Sequence, residues 1–102
     1  MASSSEYLEY VLDLLADVPE VTTRKMMGEY LLYSSGKLFG GVYDDRFLVK
    51  ITEASQAALS TRTIPYDGAS EMMLVDVEDK DFVAYLVVSM LPELPDKTSG
   101  RK

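Results

Sequence analysis

The fold is decided by residues 29–51, which read "EYLLYSSGKLFGGVYDDRFLVKI". Three apolar runs of strand length are separated by "SSG" and by "DD", and both separators are typical of tight turns. Short turns between consecutive strands produce antiparallel neighbours. This stretch therefore predicts a three-strand antiparallel meander, with Asp44 and Asp45 in its second hairpin turn.

The residues on either side of the meander predict helices and a second hairpin. Apolar residues repeat at helical spacing near both ends of the chain, which predicts one helix from a cap at Ser3 to about Asp17 and another over residues 80–91. "TEASQAALS" is typical of a short helix, and two extended pieces surround a turn signal at residues 67–68. We expect a two-layer α+β fold of order α-β-β-β-α-β-β-α, in one domain over residues 1–95. Residues 96–102 are predicted to be a disordered tail.

Two features interrupt these regular patterns. Gly40 and Gly41 lie inside the middle strand, where glycine marks a bulge, the close packing of a helix over the sheet, or a site where a ligand approaches the backbone. The last helix is apolar on nearly every side, which predicts burial on more than one side or a subunit interface.

Composition narrows the chemistry available to the protein. The 102 residues contain no cysteine and no histidine, so disulfides, thiolate zinc sites and the commonest general base are excluded. The acidic run "DVEDKD" at residues 76–81 lacks the spacing of a calcium loop. We therefore expect no enzyme activity, no cofactor and no metal site. The apolar runs are too short to span a bilayer and no signal peptide is recognisable, so we expect a cytoplasmic protein without membrane contact.

Charge is distributed unevenly along the chain. The formal net charge is −7, and residues 24–62 are the only internal segment with a positive balance. The candidate interaction residues in that segment are Arg24, Lys25, Arg46 and Lys50. They could form a basic patch for nucleic acid, or Arg24 and Lys25 could simply pair with an acidic stripe on the first helix, at Glu9, Asp13 and Asp17. Because an acidic chain repels nucleic acid, we do not expect direct DNA binding.

The segment "VTTRKMMGEYLLYSSGKLFGGVYDDRFLVK" resembles the N-terminal domain of the TfoX/Sxy competence-regulator family. The residues that carry the resemblance are Arg24, Met26, Met27, Gly28, Tyr30, Gly36, Phe39, Asp44, Asp45, Leu48 and Lys50. The resemblance covers about residues 5–95 and implies the same α+β fold. Within this motif we expect mainly structural roles: Met26 and Met27 would fill core space, and Gly28 would relieve a tight start to the first strand.

The resemblance also implies a class of function. Full-length members of that family are associated with transcriptional control of DNA-uptake competence and are thought to act with another regulator. With 102 residues there is no room for their helical C-terminal domain, so we expect a short stand-alone member. We expect a non-enzymatic regulatory or protein-interaction module that binds a protein partner, or forms a homodimer, through the last helix or an exposed sheet edge. The alternative is a nucleic-acid-associated transcription cofactor that uses the basic patch.

Overall fold

A computed structural model describes residues 4–95. In chain order its elements are α1 (Ser5–Leu14), β1 (Val21–Met26), β2 (Glu29–Ser34), β3 (Lys37–Val42), β4 (Phe47–Val49), α2 (Glu53–Ala58), β5 (Arg62–Thr63), β6 (Met72–Leu74), α3 (Lys80–Met90) and a 3-10 turn (Leu91–Glu93). The predicted α+β class and antiparallel sheet are confirmed. The structure adds β1 ahead of the predicted meander. The predicted tail, residues 96–102, lies outside the described residues.

Tight hairpins of one kind build the first four strands. The two-residue loops are Met27–Gly28, Ser35–Gly36 and Asp44–Asp45, and all six residues have positive φ angles, between 52° and 85°. Positive φ at both central positions is what a type I′ turn requires, and its twist matches that of the flanking strands. The predicted turn at Asp44–Asp45 is confirmed, since Tyr43 and Arg46 exchange backbone hydrogen bonds of 2.9 and 3.0 Å across it.

The second hairpin completes one six-stranded sheet of order β1-β2-β3-β4-β6-β5. β6 lies between β4 and β5, and pairs antiparallel with both. The two edges of the sheet are therefore β1, with six residues, and β5, with two.

Gly40 and Gly41 allow β3 to pack very closely against the strands on either side of it. The register between β2 and β3 shifts at Leu32/Tyr33, which is a β-bulge. A Cβ atom on Gly40 would lie 2.2 Å from the carbonyl oxygen of Leu48, and one on Gly41 would lie 2.6 Å from that of Tyr30. The predicted bulge is confirmed, and the close approach is made by the neighbouring strands β4 and β2 rather than by a helix.

The helices cover one face of the sheet and form the core with it. Residues from α1, α3 and four strands make one buried cluster, whose fully enclosed members include Val11, Leu32, Phe39, Val42, Val49, Val83 and Val87. No helix of the described part of the chain lies on the opposite face, which we call the open face. Leu48 lies on it, opposite Leu74, and is completely buried.

Both long helices differ from expectation in detail. The cap of α1 is Ser4, whose hydroxyl accepts from the Tyr7 amide at 3.1 Å, and the helix ends at Leu14 rather than near Asp17. α3 packs against α1 and α2 as well as the core, so burial on more than one side is confirmed. A stripe of α3 nevertheless stays exposed, with Tyr85 at 72% and Val88 at 46%. No helix within residues 4–95 is both long and apolar enough to cross a bilayer.

Candidate interaction surface

β1 is an edge strand that is exposed on both faces. Within residues 4–95 it pairs with β2 alone, on one side, and each of its residues after Val21 is exposed. A strand that is covered on neither face has no reason to alternate apolar and polar residues. Its sequence, "VTTRKM", therefore carries no strand periodicity, and this strand cannot be recognised from the sequence pattern.

The hairpin loop determines which backbone groups of β1 point outward. A two-residue loop is closed by a hydrogen-bonded pair, here Met26 and Glu29. Hydrogen-bonded and non-bonded pairs alternate along an antiparallel ladder. The N–H and C=O groups of Thr23 and Lys25 therefore point away from β2, toward the free edge, where another chain can pair with them.

Arg24 and Lys25 project to opposite faces of this edge. Lys25 lies opposite Tyr30, which packs against the core cluster, whereas Arg24 lies opposite Leu31 on the open face. Neither cation forms an ion pair with any residue in the range 4–95. The interpretation that they pair with the acidic stripe of α1 is thus wrong: Asp13 faces Lys80 instead, at 3.8 Å.

An apolar pocket of about 330 Å³ opens beside this edge on the open face. Its lining residues, which define what we call the Met–Tyr pocket, are Met26, Met27, Glu29, Leu31, Tyr43 and Tyr66. The Tyr43 and Tyr66 rings contact each other, with centroids 6.0 Å apart and planes tilted by 51°. That geometry is typical of a favourable aromatic pair.

The predicted core role of the two methionines is wrong. Met26 is 46% exposed and Met27 is 95% exposed. Met27 occupies the first position of a hairpin loop at the rim of the sheet, where no other element covers it. Gly28 is the second residue of the same loop, at φ 85°, directly before β2, so its predicted role in a tight start to the strand at Glu29 is confirmed.

Arg46 holds the fold together instead of facing a partner. Its guanidinium donates to Thr63 Oγ1 at 2.9 Å and to the carbonyl oxygens of Ile64 and Pro65 at 3.2 and 3.1 Å. Its Nε donates to the Tyr43 carbonyl at 3.2 Å. Arg46 therefore ties the β3–β4 turn to β5 and to the segment that follows it.

Lys50 lies elsewhere again. It lines a broad, shallow groove of about 970 Å³ on the open face, together with Tyr43, Tyr66 and Met72. Three strand spacings, about 14 Å, separate its strand end from β1. The four predicted interaction residues thus do not form one basic patch: two lie on the β1 edge, one is bound internally and one lies in the groove.

The other family-motif residues have structural surroundings. Asp45 Oδ1 accepts from the Ser4 amide at 2.9 Å, and Glu29 Oε1 accepts from the Asp44 amide at 3.1 Å. Tyr30 packs against the core, and Gly36 forms the β2–β3 turn. No three acidic side chains of the described residues are grouped closely enough to hold a metal ion.

The Tyr43 phenol is harder to ionise than that of a fully exposed tyrosine. Burial raises its pKa above the usual value of 10.0, and the nearby Tyr66 and Glu29 raise it further. Like any tyrosine, Tyr43 is protonated at physiological pH, and its raised pKa extends the protonated range to higher pH.

Comparison with known proteins agrees with the resemblance seen in the sequence. Residues 13–88 match the family described as TfoX N-terminal domain. A relative from Spirochaeta aurantia, described as an uncharacterized 12.7 kDa protein in the trpE 5′ region, is 33% identical over 78 residues, which cover 74% of this chain and 68% of the relative. No solved structure matches the chain. The match extends from the end of α1 through the whole sheet to α3, and the chain therefore belongs to the TfoX N-terminal domain family.

Proposed function

We propose that this domain is a non-enzymatic protein-interaction module that binds an extended segment of a partner protein as an added strand on β1. The observation that carries the proposal is the free edge of β1, six residues long and exposed on both faces. In strand addition, main-chain hydrogen bonds provide affinity and pockets for alternate side chains provide specificity. β1 offers both, because its outward backbone groups at Thr23 and Lys25 lie beside the Met–Tyr pocket.

A regulatory role is part of the same proposal. Members of this family are associated with the regulation of competence, and a regulator without catalytic chemistry acts by binding. The chain contains neither histidine nor cysteine, the usual sources of a general base and of a thiol nucleophile. We propose that the domain acts in the cytoplasm on a protein partner.

Nucleic-acid binding receives less support from the geometry. Three of the six bases of the positive segment are occupied: Lys37 donates to the Leu91 carbonyl at 3.0 Å, Arg62 faces Glu71 at 3.6 Å, and Arg46 is held by four hydrogen bonds. The remaining cations, Arg24, Lys25 and Lys50, do not line one continuous groove. A gel shift with short single- and double-stranded DNA at low salt serves as the control, and we expect none.

The proposal is tested by removing one outward hydrogen-bond donor of β1. Thr23→Pro removes an N–H that points away from β2, so the sheet keeps its own hydrogen bonds while the free edge loses a donor. Thr23→Ala is the matched control, because it removes the same side chain and keeps the donor. A phage-displayed library of random 12-residue peptides should yield peptides that bind wild type and Thr23→Ala, and bind Thr23→Pro at least about tenfold more weakly.

Thermal unfolding of both variants checks that the domain is folded. Equal binding of the selected peptides to Thr23→Pro and Thr23→Ala would contradict strand addition. A library that yields no binder of the wild-type domain would contradict the proposal as a whole.

A further inference from the structure

We infer that the segment added to β1 is acidic and carries one large apolar side chain for the Met–Tyr pocket; this inference rests on the proposed function. The charge of β1 is opposite in sign to that of the chain as a whole. The chain as a whole has a net charge of −7, yet β1 contains two cations and no acid. Since Arg24 and Lys25 are exposed and form no ion pair with residues 4–95, an incoming strand can pair with both.

The position of the two cations specifies where the acids must lie. Side chains that face each other on adjacent antiparallel strands have Cβ atoms about 5 Å apart, so opposite charges there attract and like charges repel. Arg24 and Lys25 are consecutive and project to opposite faces. A complementary segment therefore needs two consecutive acids, one for each face of the sheet.

The Met–Tyr pocket adds a third position to the motif. In an antiparallel ladder, the residue opposite Met26 precedes the residue opposite Lys25, which in turn precedes the residue opposite Arg24. The residue opposite Met26 lies on the open face, next to the pocket of about 330 Å³. It must reach across β1, which calls for a long or aromatic apolar side chain. An antiparallel partner thus reads apolar–acid–acid from its N-terminus.

The same charges argue against a second copy of this chain as the occupant. Pairing β1 with β1 of another molecule would place four cations and no acid on one short ladder. The chain's own residues 97–102 also fit poorly, because they contain three bases and no acid. Charge complementarity therefore favours an acidic partner protein over self-association at this edge.

The test uses synthetic eight-residue peptides and fluorescence anisotropy at low ionic strength. The probe has a central Phe-Glu-Asp flanked by Thr and Val, and the comparison peptides replace this centre by Phe-Lys-Lys or by Ala-Glu-Asp. We expect the probe to bind wild type about tenfold more tightly than either comparison peptide. Added salt should reduce the preference over Phe-Lys-Lys, since exposed charge pairs are screened.

Charge reversal identifies the residues responsible. Arg24→Glu/Lys25→Glu should invert the preference, so that Phe-Lys-Lys binds better than Phe-Glu-Asp. The matched control is Lys50→Glu/Lys80→Glu, which changes the net charge equally but leaves β1 and β5 intact, and it should keep the wild-type preference. Inversion in this control would mean that overall charge, rather than β1, selects the peptide.

The outcomes separate this inference from the proposed function. Similar affinity of wild type for Phe-Glu-Asp and Phe-Lys-Lys, or no binding of Phe-Glu-Asp, overturns the acidic motif. The strand-addition proposal would survive either result if the library peptides still depended on Thr23 as described above. A probe that binds wild type, Thr23→Ala and Thr23→Pro equally would overturn both.

Discussion

The two edges of the sheet differ in length and in how their groups are satisfied. β5 has two residues, and side chains close it: Arg62 donates to Gln56 Oε1 at 2.8 Å and faces Glu71 at 3.6 Å, while Thr63 accepts from Arg46. β1 has six residues, and its two cations form no ion pair within the described part of the chain. Side chains of the protein itself therefore bind the β5 edge, whereas the β1 edge can pair with another strand.

This difference shows how an edge strand can avoid pairing with another copy of the same protein and still bind a different partner. Proteins protect edge strands from aggregation by keeping them short or by placing charges on them. The short β5 follows the first strategy. β1 follows the second, and charges of a single sign repel identical chains while attracting an oppositely charged segment. We therefore expect changes at β5 to affect stability and changes at β1 to affect binding.

The largest expected effect on the free energy of unfolding comes from replacing Arg46, which binds the β5 edge. Arg46→Ala removes the guanidinium that joins the Tyr43 carbonyl to Thr63, Ile64 and Pro65, and it leaves several acceptors without their donor. We expect a loss of about 2–3 kcal/mol in the free energy of unfolding, measured by urea denaturation. Hydrogen exchange should accelerate around β5 first, while peptide binding at β1 persists in the folded protein.

Arg46→Lys separates charge from geometry in this comparison. Lysine keeps the charge but cannot donate in the same planar arrangement, so most of the loss should remain. Full recovery of stability by lysine would show that charge alone matters here. Loss of peptide binding in folded Arg46→Ala would show that the two edges are not independent.

A smaller effect of opposite sign on the free energy of unfolding is expected next to β1. Met27 has a φ of 53°, a region that asparagine tolerates better than methionine, and an Asn-Gly loop is favoured in type I′ hairpins. Met27→Asn should raise the free energy of unfolding by about 0.5 kcal/mol. It should also weaken peptide binding, because it removes an apolar wall of the Met–Tyr pocket.

Ser35→Asn is the matched control for Met27→Asn. Ser35 occupies the equivalent position of the next hairpin, at φ 52°, and does not line the pocket. Its replacement should stabilise the fold without changing peptide affinity. A binding loss of the same size in both variants would place the effect in the hairpins rather than in the pocket.

The smallest effect concerns pH. Because the folded-state pKa of Tyr43 is raised, the unfolded chain releases this proton at lower pH than the folded protein does. The folded state should therefore lose stability as pH rises above the unfolded-state value of about 10. In Tyr43→Phe, the decrease in melting temperature between pH 8 and pH 11 should be smaller than in wild type. An equal decrease in the two proteins would mean that Tyr43 contributes nothing to alkaline destabilisation.

The parts of the fold that were predictable have local causes. Asp44–Asp45 and Ser35–Gly36 are turn residues between apolar runs, and both became two-residue hairpins. Gly40 marked a bulge because only glycine permits a neighbouring carbonyl so close. β1 was missed for an equally physical reason: its side chains are exposed on both faces, so burial imposed no pattern on them.

The interaction surface was harder to predict because it depends on which strands become neighbours. The local sequence does not distinguish Arg46 from Arg24. Arg46 nevertheless donates four hydrogen bonds within the protein, whereas Arg24 lies on a free edge. The apolar character of methionine predicts a core position for Met26 and Met27, but a turn at the sheet rim leaves them uncovered. The Tyr43–Tyr66 contact joins residues 23 positions apart, which no local pattern reveals.

By itself, the sequence determined the α+β class, the order of most elements, the family and the absence of histidine and cysteine chemistry. These follow from local turn preferences, hydrophobic periodicity and composition, which act over a few residues at a time. Only the tertiary structure decided that β1 is a free edge, that Arg46 is bound internally and that the Met–Tyr pocket opens beside Arg24. Those properties depend on strand order and on long-range packing, since exposure is a relation between a residue and whatever the rest of the chain places next to it.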